Sequence, residues 1–370
     1  MALAPWDDTS AALVHQDPTL LKALDMVAPG TALREGIDNI IHASTGALIV
    51  IGEPDEISYL FSGGLKLDVD YTSAMIYQVA KMDGAIVLDP EASKLSWANV
   101  QLMPDPTIHS AETGTRHRTA ERVSKQTKAL VIAISSRREV VTIYLDGRKY
   151  ILQDIPTVLS KANQGLATME KYRLRLDRVS ARLTTVEMAG AASLHDVLTV
   201  LQRAELLIRT SNEVERYIIE LGAEGRLIEM QLEETAVGVL GDRVALIRDY
   251  AENDSEAVLD EVLAEVSALP HQELLDLGRL AELLGHDRKA NPHDLHVSAR
   301  GYRALGRIPR LPRLVGEKAI RHFGSLEEIL AATDEELAAV DGVGEDRAAD
   351  IREGLDRIRE SEVFERYPLT

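Results

Sequence analysis

Apolar positions change their period along this chain, and the changes divide it into three segments. Over 1–150, short apolar runs alternate with stretches at helical spacing. GALIVIG at 46–52, DGAIVLD at 83–89 and KALVIAIS at 128–135 are continuous apolar runs of strand length, which predicts strands buried on both faces. EVVTIYLDGRKYIL at 139–152 predicts a fourth strand followed by the turn signal Asp-Gly-Arg. Two helices fall between them. APGTALREGIDNIIHAS places Leu33, Ile37, Ile40 and Ile41 on one face behind an N-cap at Thr31, and YTSAMIYQVAKM groups Ala74, Tyr77 and Val79 to Met82. The pattern predicts an α/β domain around a mainly buried mixed sheet.

Strand patterning stops after 150. In SLHDVLTVLQRAELLIRTSNEVERYIIELGAEGRLIEMQLEE, residues Leu194, Val197, Leu198, Leu201, Leu206, Ile208, Val214, Ile218 and Leu221 recur at helical spacing. The acidic stretch DYAENDSEAVLDEVLAEVS predicts a solvated helix face or loop. The region 151–292 is therefore expected to be an all-α spine, a spacer without chemistry of its own. The region 293–370 is short, helical and punctuated by glycine.

Length supports two or three such domains in 370 residues. Cysteine is absent, which removes disulfides, thiolate metal sites and a cysteine nucleophile. No apolar run reaches the roughly 18 residues of a membrane span. MALAPWDDTS has neither a basic start nor an apolar core, so it does not read as a signal peptide. A cytoplasmic protein without membrane contact is expected. The net charge of -19 argues against a surface that binds nucleic acid everywhere. It leaves room for one local patch: in RGYRALGRIPRLPRLVGEKAIR, residues Arg300, Arg303, Arg307, Arg310, Arg313, Lys318 and Arg321 face a single acid, Glu317.

Two places carry candidate chemistry in the first segment. In ETGTRHRTAERVSKQT, Gly114 and Thr115 precede Arg116, His117 and Arg118, with Thr119 behind them. The run opens a helix, whose N-terminal N–H groups favour an anion, and arginine forks match phosphate oxygens. Asp83 stands at the entrance of a buried strand beside Gly84, where a lone carboxylate suits Mg²⁺ or Mn²⁺ shared with phosphate. Neither a Walker A sequence nor a dinucleotide glycine motif is present. These residues alone favour a solvated turn over a polyphosphate site. In the third segment, LAAVDGVGEDRAADIREGL places Gly342, Val343 and Gly344 between two helices, where exposed N–H groups suit a DNA phosphate. IPRLPRLVGEKAIRHFGSLEEIL has the partner pattern with Gly316, but Pro309 and Pro312 stand where the first glycine is expected. A small helical bundle or a protein-docking module remains the alternative.

In order and separation, DGA at 83–85, GTRHRTA at 114–120 and AISSRR at 133–138 resemble the signature motifs of the diadenylate cyclase family. The succession of cyclase domain, helical spine and helix-hairpin-helix tail resembles that family's DNA-integrity scanning members. The resemblance implies a domain at 1–150 that joins two ATP into cyclic di-AMP and releases two pyrophosphates, a spine at 151–292 and a DNA-binding tail at 293–370. It implies that Asp83 holds the Mg²⁺ or Mn²⁺ and helps activate the ribose 3′-hydroxyl. Gly84, Ala85 and Gly114 are motif positions of the ATP site, and the Leu102 main chain would meet adenine. Thr115, Arg116, His117, Arg118 and Thr119 would grip phosphates, and Ser135 would reach the β- and γ-phosphates. Each site would hold one ATP, so two must face each other across subunits, in a homo-octamer. The tail would meet branched, Holliday-junction-like DNA through Gly316, Lys318, Gly342, Val343, Gly344 and Arg347. Two other readings remain, a nucleotide sensor on a DNA-binding scaffold and a DNA-repair nuclease. The second is disfavoured because the only neighbouring acid, Asp89, lies at the far end of the strand.

Overall fold

Buried strands need both faces covered, and the chain meets that need with helices on each side of one sheet. The computed structural model describes residues 17–137, 139–289 and 291–366, apart from the side chains of 361–366. MALAPWDDTS, Arg138 of AISSRR and the end of the 293–370 segment lie outside the described residues. The chain forms two compact units, Met1–Gln164 with Val214–Met230, and Gly165–Glu213 with Gln231–Thr370.

In the first unit the elements run α1 (Pro18–Met26), α2 (Ala32–His42), β1 (Ala47–Ile51), α3 (Pro54–Ile57), β2 (Phe61–Ser62), β3 (Leu65–Asp70), α4 (Ser73–Val79), β4 (Ala85–Leu88), β5 (Lys94–Leu102), α5 (Thr115–Gln126), β6 (Leu130–Ser135), β7 (Val140–Leu145) and β8 (Arg148–Ile151). The sheet order is β2-β5-β4-β1-β6-β7-β8, with β3 beside β5. Only β1 and β4 pair in parallel, so the sheet is mixed, as expected. One face carries Ile49, Ile86, Ile132 and Ile143 against Leu24, Ile37 and Ile76 of α1, α2 and α4. The other carries Val50, Val87, Val131 and Tyr144 against Ala120 and Val123 of α5. Thr31 caps α2 as predicted, accepting the Arg34 N–H at 3.1 Å.

The sheet exceeds the four expected strands. EVVTIYLDGRKYIL is a hairpin rather than one strand, turned at Asp146 and Gly147, both at positive φ (49° and 73°), as a two-residue turn requires. β5 escaped notice because its alternation is broken at Asn99, a left-handed residue (φ 54°) where the register with β4 shifts. β3 alternates Leu65, Leu67 and Val69 with charged residues, yet every residue in it is exposed. The helix in YTSAMIYQVAKM ends at Val79, with Ile76 as its buried residue, and Met82 lies beyond it and is exposed.

The second unit is helical. Its elements belong to the series α6 (Ile155–Met188), α7 (Leu194–Leu221), α8 (Arg226–Ala236), α9 (Val239–Tyr250), α10 (Glu256–Ala268), α11 (His271–Leu274), α12 (Leu277–Leu283), α13 (Tyr302–Gly306), α14 (Arg313–Phe323), α15 (Leu326–Ala331), α16 (Asp334–Ala338) and α17 (Gly344–Arg366). The long amphipathic pattern after 193 is two helices, broken at Gly222 (φ 49°). One expectation for this region is corrected. The acidic stretch at 249–267 is only partly solvated, because Asp249 and Tyr250 are buried, as are Leu259, Val262 and Val266 of α10. The spine also shares a buried ionic cluster with the segment after 292. Asp249 accepts the N–H groups of Gly301, Tyr302 and Arg303 at 2.6, 2.7 and 2.9 Å. Glu187 takes both Arg303 Nη1 contacts, at 2.6 and 2.8 Å, and the Tyr250 hydroxyl at 2.6 Å. Complete burial, and then the charge of Glu187, push Asp249 up to about 6 against the donors around it.

Candidate functional site

The register of the sheet decides which motif residues meet. Val100, Ala85, Leu48, Ala133 and Thr142 stand in one row across β5, β4, β1, β6 and β7. Continuing outward from that row at the same end come Leu102, then Gly84 and Asp83, then Gly46, then Ser135. Three gaps separate β5 from β6, roughly 14 Å in all, the scale of an extended nucleoside triphosphate. Asp83 is exposed in the turn before β4, and it makes no hydrogen bond or ion pair among the described residues. Ala85 is buried as the first residue of β4, and Leu102 is buried at the end of β5. Asp89, by contrast, caps the turn at the other end of β4, accepting from Ser93 and Lys94 N–H groups at 2.6 and 2.7 Å.

Gly84 fits closely against β5. At φ 133°, a Cβ there would stand 2.8 Å from the Asn99 carbonyl carbon. The missing side chain makes room for the bulge of β5.

Helix α5 brings the basic run to the same end. Gly114 is its N-cap, with no side-chain cap, and no acid lies in its first turn. The N–H groups of the first turn therefore carry their partial positive charge with no carboxylate of that turn beside them. Arg116 reaches the start of β1: a Cβ on Gly46 would lie 3.2 Å from Arg116 Cζ and 2.9 Å from the Ile134 carbonyl oxygen. Arg116 is exposed and forms no ion pair among the described residues, and Thr115 and Thr119 flank it on the helix. His117 turns to the sheet, its Nδ1 3.1 Å from the Tyr144 hydroxyl. Arg118 departs from expectation. Its Nε and Nη2 donate to the Glu112 and Thr113 carbonyls at 3.2 and 3.4 Å.

Arg118 belongs to a row at helical spacing that straps the preceding loop. Arg122 donates to the Ile108 and Pro106 carbonyls at 2.9 and 3.0 Å, and Lys125 to the His109 carbonyl at 2.9 Å. The loop from Leu102 to Gly114 is thus laid along α5 and joins the two ends of the site. Gly46, Asn99, Arg122 and Tyr144 were missed by sequence reasoning. Only Tyr144 carried a usable signal, since a tyrosine in a buried-strand pattern needs a partner for its hydroxyl.

In the second unit, the turn between α16 and α17 holds Gly342 and Gly344 at φ 84° and 67°, with Val343 buried between them. Arg347 Nη1 donates to the Gly342 carbonyl at 2.5 Å, and Lys318 Nζ pairs with Asp341 at 2.5 Å. The turn between α13 and α14 has its left-handed residue at Arg310 (φ 66°), so no glycine is needed there. Gly316 is not in that turn. It is buried inside α14 and its N–H bonds to the Pro312 carbonyl at 3.2 Å. The basic patch is also smaller than its sequence. Arg303 is buried on Glu187, Arg300 donates to the carbonyls of Arg248, Asp249 and Glu252, and Arg307 donates to Thr184 and Ser180. No helix among the described residues is long and apolar enough to cross a membrane.

Comparison with known proteins bears on both units. Residues 34–149 match the family described as DisA bacterial checkpoint controller nucleotide-binding, and residues 152–292 match the DisA bacterial checkpoint controller linker region. The chain is 49% identical over 345 residues to the DNA integrity scanning protein DisA of Symbiobacterium thermophilum, covering 93% of this chain and 97% of that one. It is 48% identical to DisA of Carboxydothermus hydrogenoformans, over 93% and 98% of the two chains. With DisA of Streptomyces coelicolor the identity is 43%, over 95% of each.

Proposed function

The chain belongs to the DisA family of DNA integrity scanning proteins and is a diadenylate cyclase, and from that premise we propose how its residues divide the work. Two ATP molecules are condensed into cyclic di-AMP with loss of two pyrophosphates. The 3′-hydroxyl of one ATP attacks the α-phosphate of the other, in line with the departing pyrophosphate. Positioning and charge neutralisation account for most of the catalysis in such a step. One juxtaposition supports this reading more than any other: Asp83, Arg116 and Ser135 lie at one end of one sheet, beside the uncapped start of α5.

Leu102 and Gly84 offer main chain to the nucleotide, with Ala85 seating the strand. Thr115, Arg116, His117 and Thr119 surround the phosphates, and Arg118 holds the loop that leads to them. Asp83 is the metal residue. Among the described residues no three His, Cys, Asp or Glu side chains gather into a metal site. A lone exposed carboxylate fits Mg²⁺ or Mn²⁺, hard ions that take one or two carboxylates and fill the rest with phosphate oxygens and water. When bound, that ion supplies neutralisation of phosphate charge. Each chain has one such site and the product joins two nucleotides, so two sites face each other between subunits of a homo-octamer.

The segments 1–150, 151–292 and 293–370 act as cyclase, spine and DNA-reading tail. The tail uses two helical hairpins to meet the backbone of branched, Holliday-junction-like DNA. Gly342, Gly344, Lys318 and Arg347 lie at the contact, with Val343 and Gly316 packing the hairpins beneath. The decisive experiment is incubation of the full chain with ATP and either metal, followed by mass spectrometry. Cyclic di-AMP from the wild type and none from Asp83→Asn, with DNA binding unchanged, is the expected result. A fully active Asp83→Asn chain removes Asp83 from the metal role.

A further inference from the structure

His117 is the one member of the basic run whose side chain points back into the protein, and what it meets there is a chain of ionisable groups. Tyr144 lies fully buried on β7, its ring 6.1 Å from the imidazole and tilted by 61°. The phenol oxygen stands 3.1 Å from His117 Nδ1. The Glu112 carboxylate acts on the Tyr144 phenol, and Glu112 in turn pairs with Lys149 Nζ at 2.6 Å. Four residues from α5, β7, β8 and the strapped loop thus form one line, Lys149–Glu112–Tyr144–His117. None of the motifs explains the three behind the histidine.

We propose that Tyr144, backed by Glu112 and Lys149, is a positioning residue that orients and charges His117 for nucleotidyl transfer. The inference rests on the reading of residues 114–119 as the phosphate cradle.

Proton placement follows from the partners. Burial, then the bond to Glu112 and its charge, push the Tyr144 phenol far above its usual range, so it keeps its proton. Burial alone would raise Glu112, but hydrogen bonds from Lys149 and Tyr144 outweigh it and hold the carboxyl below its usual range. A protonated phenol beside an ionised carboxylate donates to it. Its oxygen then accepts, so His117 carries a proton on Nδ1. Whatever His117 does at the substrate it does through Nε2. The carboxylate charge behind the phenol attracts a charged imidazole. A doubly protonated imidazole can donate to a phosphate oxygen, whereas the neutral ring with Nδ1–H cannot. The same logic makes the carboxylate behind a functional histidine matter in catalytic triads.

Other charges face this line. Glu121 of α5 acts on Tyr144 and is itself paired with Lys125 at 2.6 Å, and Arg116 and Arg118 flank His117 on the helix. Any pH effect is therefore read as a difference between variants.

The test is steady-state cyclase kinetics of the full chain as a function of pH. Tyr144→Phe is expected to lower kcat by about 10- to 100-fold, the cost typical of losing the outer partner of a functional histidine, with a far smaller change in KM for ATP. The alkaline limb of its pH–rate profile moves to lower pH. Glu112→Gln, which keeps the phenol in place, shifts the limb the same way and decides the matter if Tyr144→Phe does not fold. On a His117→Gln background, Tyr144→Phe costs nothing further. Additive losses, or slower catalysis with an unmoved alkaline limb, reduce Tyr144 to packing and overturn the proposal. A wild-type chain that makes no cyclic product sinks the underlying reading instead, so the two failures are told apart.

Discussion

Arg116 and Arg303 occupy the same place in two helices. Each is the second residue after a glycine N-cap that has no side-chain cap, Gly114 for α5 and Gly301 for α13. Yet Arg116 is exposed, whereas Arg303 is exposed to only a few per cent. The difference lies in where the anion comes from. At α13 the fold supplies it: Asp249 accepts three backbone N–H groups, and Glu187 takes the guanidinium. At α5 no acid stands in the first turn, and the carboxylate of the preceding loop, Glu112, is held by Lys149. A basic helix start is a structural joint when the chain brings its own carboxylates to it. It is a candidate phosphate site when the chain leaves that to a ligand.

The sharpest way to break this comparison is at Arg303. Replacing it with Met removes one partner of a buried pair and leaves Glu187 charged without compensation. The expected loss is about 3–5 kcal/mol of stability, read from a denaturant midpoint. A variant with normal stability and weakened DNA binding would instead place Arg303 among contact residues. At Arg116 the expectation reverses. Arg116→Ala should lower kcat for cyclic di-AMP about 100-fold, or about 2.7 kcal/mol of transition-state stabilisation, by analogy with loss of one oxyanion donor. Its stability should stay within about 0.5 kcal/mol of wild type, since it forms no ion pair among the described residues. A large stability loss would make it a second Arg303.

Sequence made parts of this visible and hid others for physical reasons. The apolar runs at 46–52, 83–89 and 128–135 predicted β1, β4 and β6 because strands buried on both faces need no pattern beyond hydrophobicity. Thr31 was legible because an N-cap is a local signal. The basic run of α5 was legible too, but the partners that separate its members were not. Arg118 meets loop carbonyls, while His117 meets Tyr144, 27 residues on. Asp249 and the α13 start it caps are 52 to 54 residues apart, and an acidic context around Asp249 made it look solvated. Spacing on one helix reports which side chains share a face. It cannot report which distant carboxylate the fold will bring there.

The smallest expected effect tests the cations of the tail that the fold leaves exposed. Lys318 is about half exposed, and its Nζ pairs with Asp341, the residue before Gly342 in the turn between α16 and α17. The hydrogen bond from Lys318, and then its charge, hold the Asp341 carboxyl below its usual range. A pair this exposed holds little stability. If Lys318 neutralises one DNA phosphate, Lys318→Ala weakens junction binding about equally for all sequences and flattens the log-affinity against log-salt slope by about one. Asp341→Asn then acts with the opposite sign, because it releases Lys318 from its acid and removes a negative charge beside the hairpin. Tighter binding by Asp341→Asn, together with weaker binding by Lys318→Ala, makes the pair a restraint on a DNA contact. Weaker binding by both makes it a brace of the hairpin, and Lys318 then joins Arg303 among the cations that the fold spends on itself.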